Sequence, residues 1–220
     1  MRLRSPRLLN RRVKTLRPGT ILESYSDDSR VGKPHRSKVE IRIIKGSGTS
    51  PNTAPSNIAE IKFYSLTAPD TWSLKQTLQL ETHAIMDAEP HFEDFNNDGF
   101  RDITFMSGSA ARGANEIRTL LIYDKRGDDL IHIKNSEDYP NLAYNRTLNC
   151  IDSWMVYGAT TTVFLHLEGG MLKKFATVDT GEELIVSVIG KDGRRKIIRR
   201  QKMSLDDIYT RYTTFDPPRP

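Results

Sequence analysis

Asp94-Phe95-Asn96-Asn97-Asp98-Gly99-Phe100-Arg101-Asp102, followed at once by Ile103-Thr104-Phe105-Met106, is the stretch on which the fold turns. Side-chain oxygens stand at its first, third, fifth and ninth positions, with a glycine at the sixth. A hard divalent cation such as calcium takes about six to eight oxygen ligands at about 2.3–2.6 Å. Asp94, Asn96, Asp98 and Asp102 offer side-chain oxygens in that pattern, Phe100 offers its backbone carbonyl, and Gly99 permits a sharp left-handed turn. Asn, Asp and Gly also make ordinary Asx turns, in which the side chain caps its own backbone. Four spaced oxygens plus the glycine are more than such a turn needs, so the reading is a Ca2+ loop. An EF-hand would carry a bidentate Glu at position twelve and a helix on each side. Phe105 stands there, and Ile103 to Met106 are β-branched and aromatic residues of a strand. The loop therefore joins strands.

Working outward, Val39, Ile41 and Ile43 alternate with polar partners, the pattern of a half-buried strand. Residues 46–57 form a Gly/Ser/Pro/Thr loop, and 58–66 and 71–81 read as the next strands. Residues 117–124 are apolar at nearly every position, which predicts a strand buried on both faces. Further strands follow at 130–133, 148–156, 160–167, 172–178 and 184–189, with a basic return strand at 194–202 after the Asp192-Gly193 turn. Lysine and arginine on such a strand guard a sheet edge against pairing. Ser204 with Asp206 and Asp207 offers an N-cap and an acidic first turn for a short helix to about residue 211. Strands every 8–15 residues with almost no helical period define an all-β protein, for which sandwich, barrel and propeller all fit. The expected organisation is a basic arm and linker over 1–37, with one short strand near Thr20-Ile21-Leu22, a β domain over 38–203, and a short helix with a proline-rich tail over 204–220.

The chain of 220 residues is 37% hydrophobic and 28% charged, the composition of a globular protein, with no apolar run of membrane-helix length. Its single cysteine, Cys150, excludes an internal disulfide and reads as a small buried residue. The net charge of +5 is local to the N-terminus. Residues 1–18 hold seven Lys and Arg and no acid, so the remainder carries −2. Such an arm reads as a solvated tail; contact with nucleic acid or an anionic surface is the alternative. It resembles the basic start of an export signal without the apolar segment, as a truncated leader would.

The Asp-Phe-Asn-Asn-Asp-Gly-Phe-Arg-Asp-Ile run resembles the calcium loop of FG-GAP and VCBS-type β-propeller repeats. With residues 93–108, Leu121-Ile122-Tyr123-Asp124, residues 153–167 and the Gly-Gly-Met-Leu turn at 169–172, the chain is similar over about 58–200 to a bacterial family of small calcium-binding β-propellers. That family includes an immunity protein that inhibits a lysozyme-like effector of a type IV secretion system. The resemblance implies a small, irregular propeller of about five blades, Ca2+ held by Asp94, Asn96, Asp98, Phe100 and Asp102, and a non-enzymatic protein-binding role. It also implies a periplasmic or extracellular location, although the chain shows no signal peptide and a cytoplasmic one stays open. Calcium in such loops binds at about 10⁻⁴–10⁻³ M, which cytosol does not reach.

The partner implied is a peptidoglycan hydrolase, met by loops at 107–115, with Arg112, and 138–146, with Tyr139, Tyr144 and Arg146. Tyr and Arg are the side chains that most often anchor interfaces. The competing class is an enzyme on a propeller scaffold, which needs two placed carboxylates. Glu89, Glu93, Glu116 and Glu137 are available, but no motif pairs them, and the five histidines show no metal-ligand spacing.

Overall fold

The computed structural model describes residues 16–47, 56–83 and 88–220. Strands make up 60% of it and helix 4%, so the all-β class follows from the alternating patterns. A first antiparallel sheet contains β1 (Ile21–Asp27), β2 (Ser37–Ile44), β3 (Asn57–Ala68) and β4 (Thr71–Thr82), in that order. Val39, Ile41 and Ile43 of β2 stand opposite Phe63, Ile61 and Ala59 of β3. All six are at most 4% exposed. Each full burial of a large apolar side chain contributes about 1.5–3 kcal/mol, so this face fixes the register of the sheet.

The second sheet holds β5 (His91–Glu93), β6 (Asp102–Ala110), β7 (Asn115–Asp124) and β8 (Asp129–Ile133). β7 is buried on both faces, as its apolar Leu120-Leu121-Ile122-Tyr123 stretch predicts. Its alternate residues serve different cores. Leu121 and Tyr123 join the first sheet's cluster, while Leu120 and Ile122 join a second cluster with Ile151, Val163 and Leu165. The third sheet has six strands: β9 (Leu142–Asn145), β10 (Cys150–Val156), β11 (Thr160–Glu168), β12 (Met171–Asp179), β13 (Glu183–Ile189) and β14 (Arg195–Lys202). A two-stranded ribbon, β15 (Thr214–Phe215) with β16 (Pro218–Arg219), completes the chain. β14 is the expected basic edge strand, exposed at all eight positions.

Three expectations change. The described residues form four sheets, of four, four, six and two strands, and none closes; five blades are not seen. The reason is local: the 183–202 hairpin extends the third sheet instead of starting a new one. Second, residues 21–37 are not linker. β1 pairs with β2 throughout its length, and Val31 is fully buried. The basic residues up to 15 lie outside the described residues. Third, the segment after 203 makes only one 3-10 turn, Leu205–Asp207, capped by the Ser204 hydroxyl. The Ile208 carbonyl is taken by the hydroxyls of Thr160 and Thr180 at 2.8 and 2.6 Å, which stops a helix there. Tyr212 and Phe215 then pack beside Phe164 in a third core cluster, so the tail belongs to the body. Among the described residues no helix is long and apolar enough to cross a membrane.

Candidate cation loop and partner surfaces

Two phenylalanines anchor the 94–102 loop. Phe95 is buried in the second core cluster, and Phe100 packs against the first, its ring 5.6 Å from that of Tyr123. Between them the chain turns through Asn97 and Gly99, at φ of 56° and 89°. No atom would meet a Cβ at Gly99 within 4 Å, so its glycine answers a need for backbone conformation, not for space. The Arg101 carbonyl accepts a 2.8 Å hydrogen bond from the Gly32 amide, which ties the loop to the first sheet's β1–β2 connection.

The acidic side chains all turn inward. Asp94 accepts from the amides of Asp98 at 3.0 Å and Gly99 at 2.8 Å. Asn96 accepts from the Asp98 amide at 3.2 Å, and Asp98 from the Phe100 amide at 3.0 Å. Asp102 is fully buried and holds the loop shut: one oxygen accepts from the Phe95 amide, the other from the Tyr123 amide, both at 2.8 Å. Burial pushes its carboxyl up to about 7; the two amides oppose that, and the nearby charges of Asp94 and Asp98 reinforce it. A neighbouring group is ordered the opposite way. Burial raises the Asp128 carboxyl, but hydrogen bonds from Ser65 and Tyr123 and the charge of Lys33 hold it below the usual carboxylate range.

The donor set of the loop fits a hard cation. It is oxygen only, with the carboxylates of Asp94, Asp98 and Asp102 and the amide of Asn96 all turned into one turn. Side chains alone do not complete a centre: among the described residues no three His, Cys, Asp or Glu groups are placed to hold a metal by themselves.

Asn141 joins the two expected contact loops: its side chain donates to the Ala114 carbonyl at 2.9 Å and accepts from the Glu116 amide at 3.0 Å. Arg112 is exposed on the turn after β6, with Ala111 and itself at φ of 50° and 57°. β6 has nine residues, so that turn lies roughly 27 Å from the cation loop. Tyr139 and Tyr144 are half-buried against the second core cluster, and the Tyr144 hydroxyl donates to Asn149 at 2.7 Å. Arg146 is exposed and lines a cleft beside Asp94. The sequence reading missed two other exposed tyrosines. Tyr157, at the β10–β11 turn, is 64% exposed, and Tyr209 is 62% exposed with its hydroxyl on the Gly158 carbonyl at 3.4 Å. Asn115 binds both the amide and carbonyl of Val156, at 2.9 and 3.1 Å, and so brings the Arg112 turn to this same end. A tyrosine before a turn glycine is a visible sign; the long-range placement of Tyr209 is not.

The carboxylates of the enzyme reading are placed as follows. Glu116 pairs with the buried Arg118 at 3.1 Å, and Glu137 accepts from Thr119 at 2.7 Å. His166 stacks on Phe175 with centroids 4.0 Å apart. Cys150 is buried, and burial with the adjacent Asp152 charge pushes its thiol up to about 12, far from an activated thiolate.

No known protein family matches the sequence, and no curated protein matches it. The fold is similar to the solved structure of a Xanthomonas type IV secretion system related protein, at 12% identity and a TM-score of 0.48 over 83% of this chain and 98% of that one.

Proposed function

We propose that this protein is a non-catalytic binding module whose central loop is clamped by calcium, and that it serves in the periplasm as an immunity protein inhibiting a peptidoglycan-cleaving, lysozyme-like effector. The observation that carries the calcium reading is Asp102. It is fully buried on the same turn as Asp94 and Asp98; burial raises its carboxyl to about 7, and the repulsion of those two charges adds to the rise. A divalent cation held by Asp94, Asn96, Asp98, the Phe100 carbonyl and Asp102 would turn that repulsion into attraction. The loop joins β5 to β6 and is tied by Asp102 to β7, so its order sets the adjoining end of the second sheet. The support for the inhibitor role is the resemblance in the loop and in the order of strands.

The direct test is thermal unfolding in millimolar calcium against chelator. At a hundred times its dissociation constant, calcium adds about 2.7 kcal/mol to stability. Asp98→Ala should abolish the response. An unchanged melting temperature in the wild type would sink the calcium reading. For the inhibitor role, a peptidoglycan hydrolase encoded beside this chain should lose its cell-wall lysis activity when the calcium-loaded protein is added in equal amount. Full activity in that mixture would rule the role out.

A further inference from the structure

Three arginines from separate connections reach one cleft of about 570 Å3 next to the cation loop: Arg30 after β1, Arg101 at the end of the loop, and Arg146 after β9. Phe92 of β5 also lines it. The three cations are not equivalent. Arg30 is fixed: its guanidinium lies 4.4 Å from the centroid of the Phe92 ring, its Nε binds Asp27 at 2.8 Å, and it also binds the Tyr25 hydroxyl. Arg101 and Arg146 are exposed, and neither side chain makes a hydrogen bond or ion pair among the described residues. Guanidinium groups left without a carboxylate beside a recess are the donors that acidic partners use, because their fork matches a carboxylate with two parallel hydrogen bonds.

Glu93 and Asp94 line the same cleft. Without a metal these carboxylates offset the arginines, and an incoming anion meets a nearly neutral recess. Asp94 is also the first ligand of the proposed calcium loop. A bound divalent ion neutralises it and leaves Arg101 and Arg146 opposed by Glu93 alone, so the recess turns net positive. The protein's own residues therefore couple the two sites: an anion in the cleft and a cation in the loop each favour the other, by the same factor in both directions.

We infer that this cleft is a calcium-dependent docking site for an acidic, extended segment of a partner protein, with Arg101 and Arg146 pairing to its carboxylates. The inference rests on the calcium-loop reading above and adds the partner's chemistry to it. A protein segment suits the site better than a small oxyanion. The two unpaired cations, Arg101 and Arg146, come from separate connections around a recess of about 570 Å3, so they match carboxylates spaced along a chain better than one small anion.

The test uses the full chain and a fluorescein-labelled alternating Glu-Ala octapeptide, read by anisotropy in millimolar calcium and in metal-depleted buffer. Binding should appear with calcium and weaken at least about tenfold without it. The Arg101→Ala/Arg146→Ala double variant should bind about tenfold more weakly while keeping the calcium-induced rise in melting temperature. An alternating Lys-Ala octapeptide should not bind. Equal binding in the two metal states, or an undiminished double variant, overturns the inference. So does competition by sulfate at the same concentration as the peptide, which would mark a simple oxyanion site. A wild type that shifts with calcium but does not bind the peptide refutes the cleft alone. One that neither shifts nor binds refutes the loop as well.

Discussion

Asp102→Asn keeps the shape of the side chain and removes its charge, and the two effects separate with pH. The wild-type carboxylate accepts from the Phe95 and Tyr123 amides. An asparagine has one acceptor oxygen, so its NH2 must face one of those donors, at a cost of about 1–3 kcal/mol. Against this stands the charge. The folded carboxyl sits at about 7, above its ordinary 3.8. Each unit is worth about 1.4 kcal/mol, which bounds the burden on the ionised, metal-free protein at about 4 kcal/mol. Because the folded value is the higher one, the associated stability is complete below pH 3.8 and is lost as pH rises through 7. In chelator the variant should therefore be less stable than wild type near pH 4, by about 1–3 kcal/mol, and the gap should close or reverse by pH 8. Millimolar calcium should flatten the wild-type profile, since the ion favours the ionised form. Urea unfolding followed by tryptophan fluorescence across this range gives the difference directly. A gap that stays constant from pH 4 to 8 would refute the account of Asp102.

Other outcomes follow from single contacts. Arg211 binds the carboxylate of Asp152, which is 5% exposed, through Nε at 2.8 Å. Burial raises that carboxyl and Arg211 opposes the rise, so Arg211→Ala should cost about 2–3 kcal/mol at neutral pH. A loss under about 0.5 kcal/mol in urea titrations would count the pair as an ordinary surface contact. Gly32 has φ of +55°, and a Cβ there would lie 2.9 Å from Tyr123 Cδ2. Gly32→Ala should destabilise by about 2–3 kcal/mol, and an unchanged urea midpoint would show that the β1–β2 connection yields freely. The calcium response, its loss in Asp98→Ala, and the peptide titration complete the set.

Strand positions were legible because their signals are local. Val39, Ile41 and Ile43 alternate with polar residues and are buried to within 4% exposure. The apolar run in β7 correctly implied burial on both faces. The loop's turn residues were legible for the same reason. Sheet membership was not, since whether β13 and β14 extend one sheet or begin another depends on pairing partners that no local pattern records. Arg211 illustrates the limit at the level of one residue. It sits in a polar stretch that reads as tail, and its importance comes from Asp152, 59 positions away in the chain. Arg30 and Arg101 escaped notice likewise, because only folding brings their connections to the recess that Arg146 lines.

β7 sends alternate side chains to two cores, and this has a consequence for how the molecule comes apart. A strand shared in this way leaves neither core a private boundary, so one cannot melt while the other stays intact. The described sheets should lose structure in a single cooperative step, and amides of β7 should exchange with solvent only through global unfolding. Ion binding at the turn before β6 would then be felt far beyond the turn, as slower exchange across both halves of the protein.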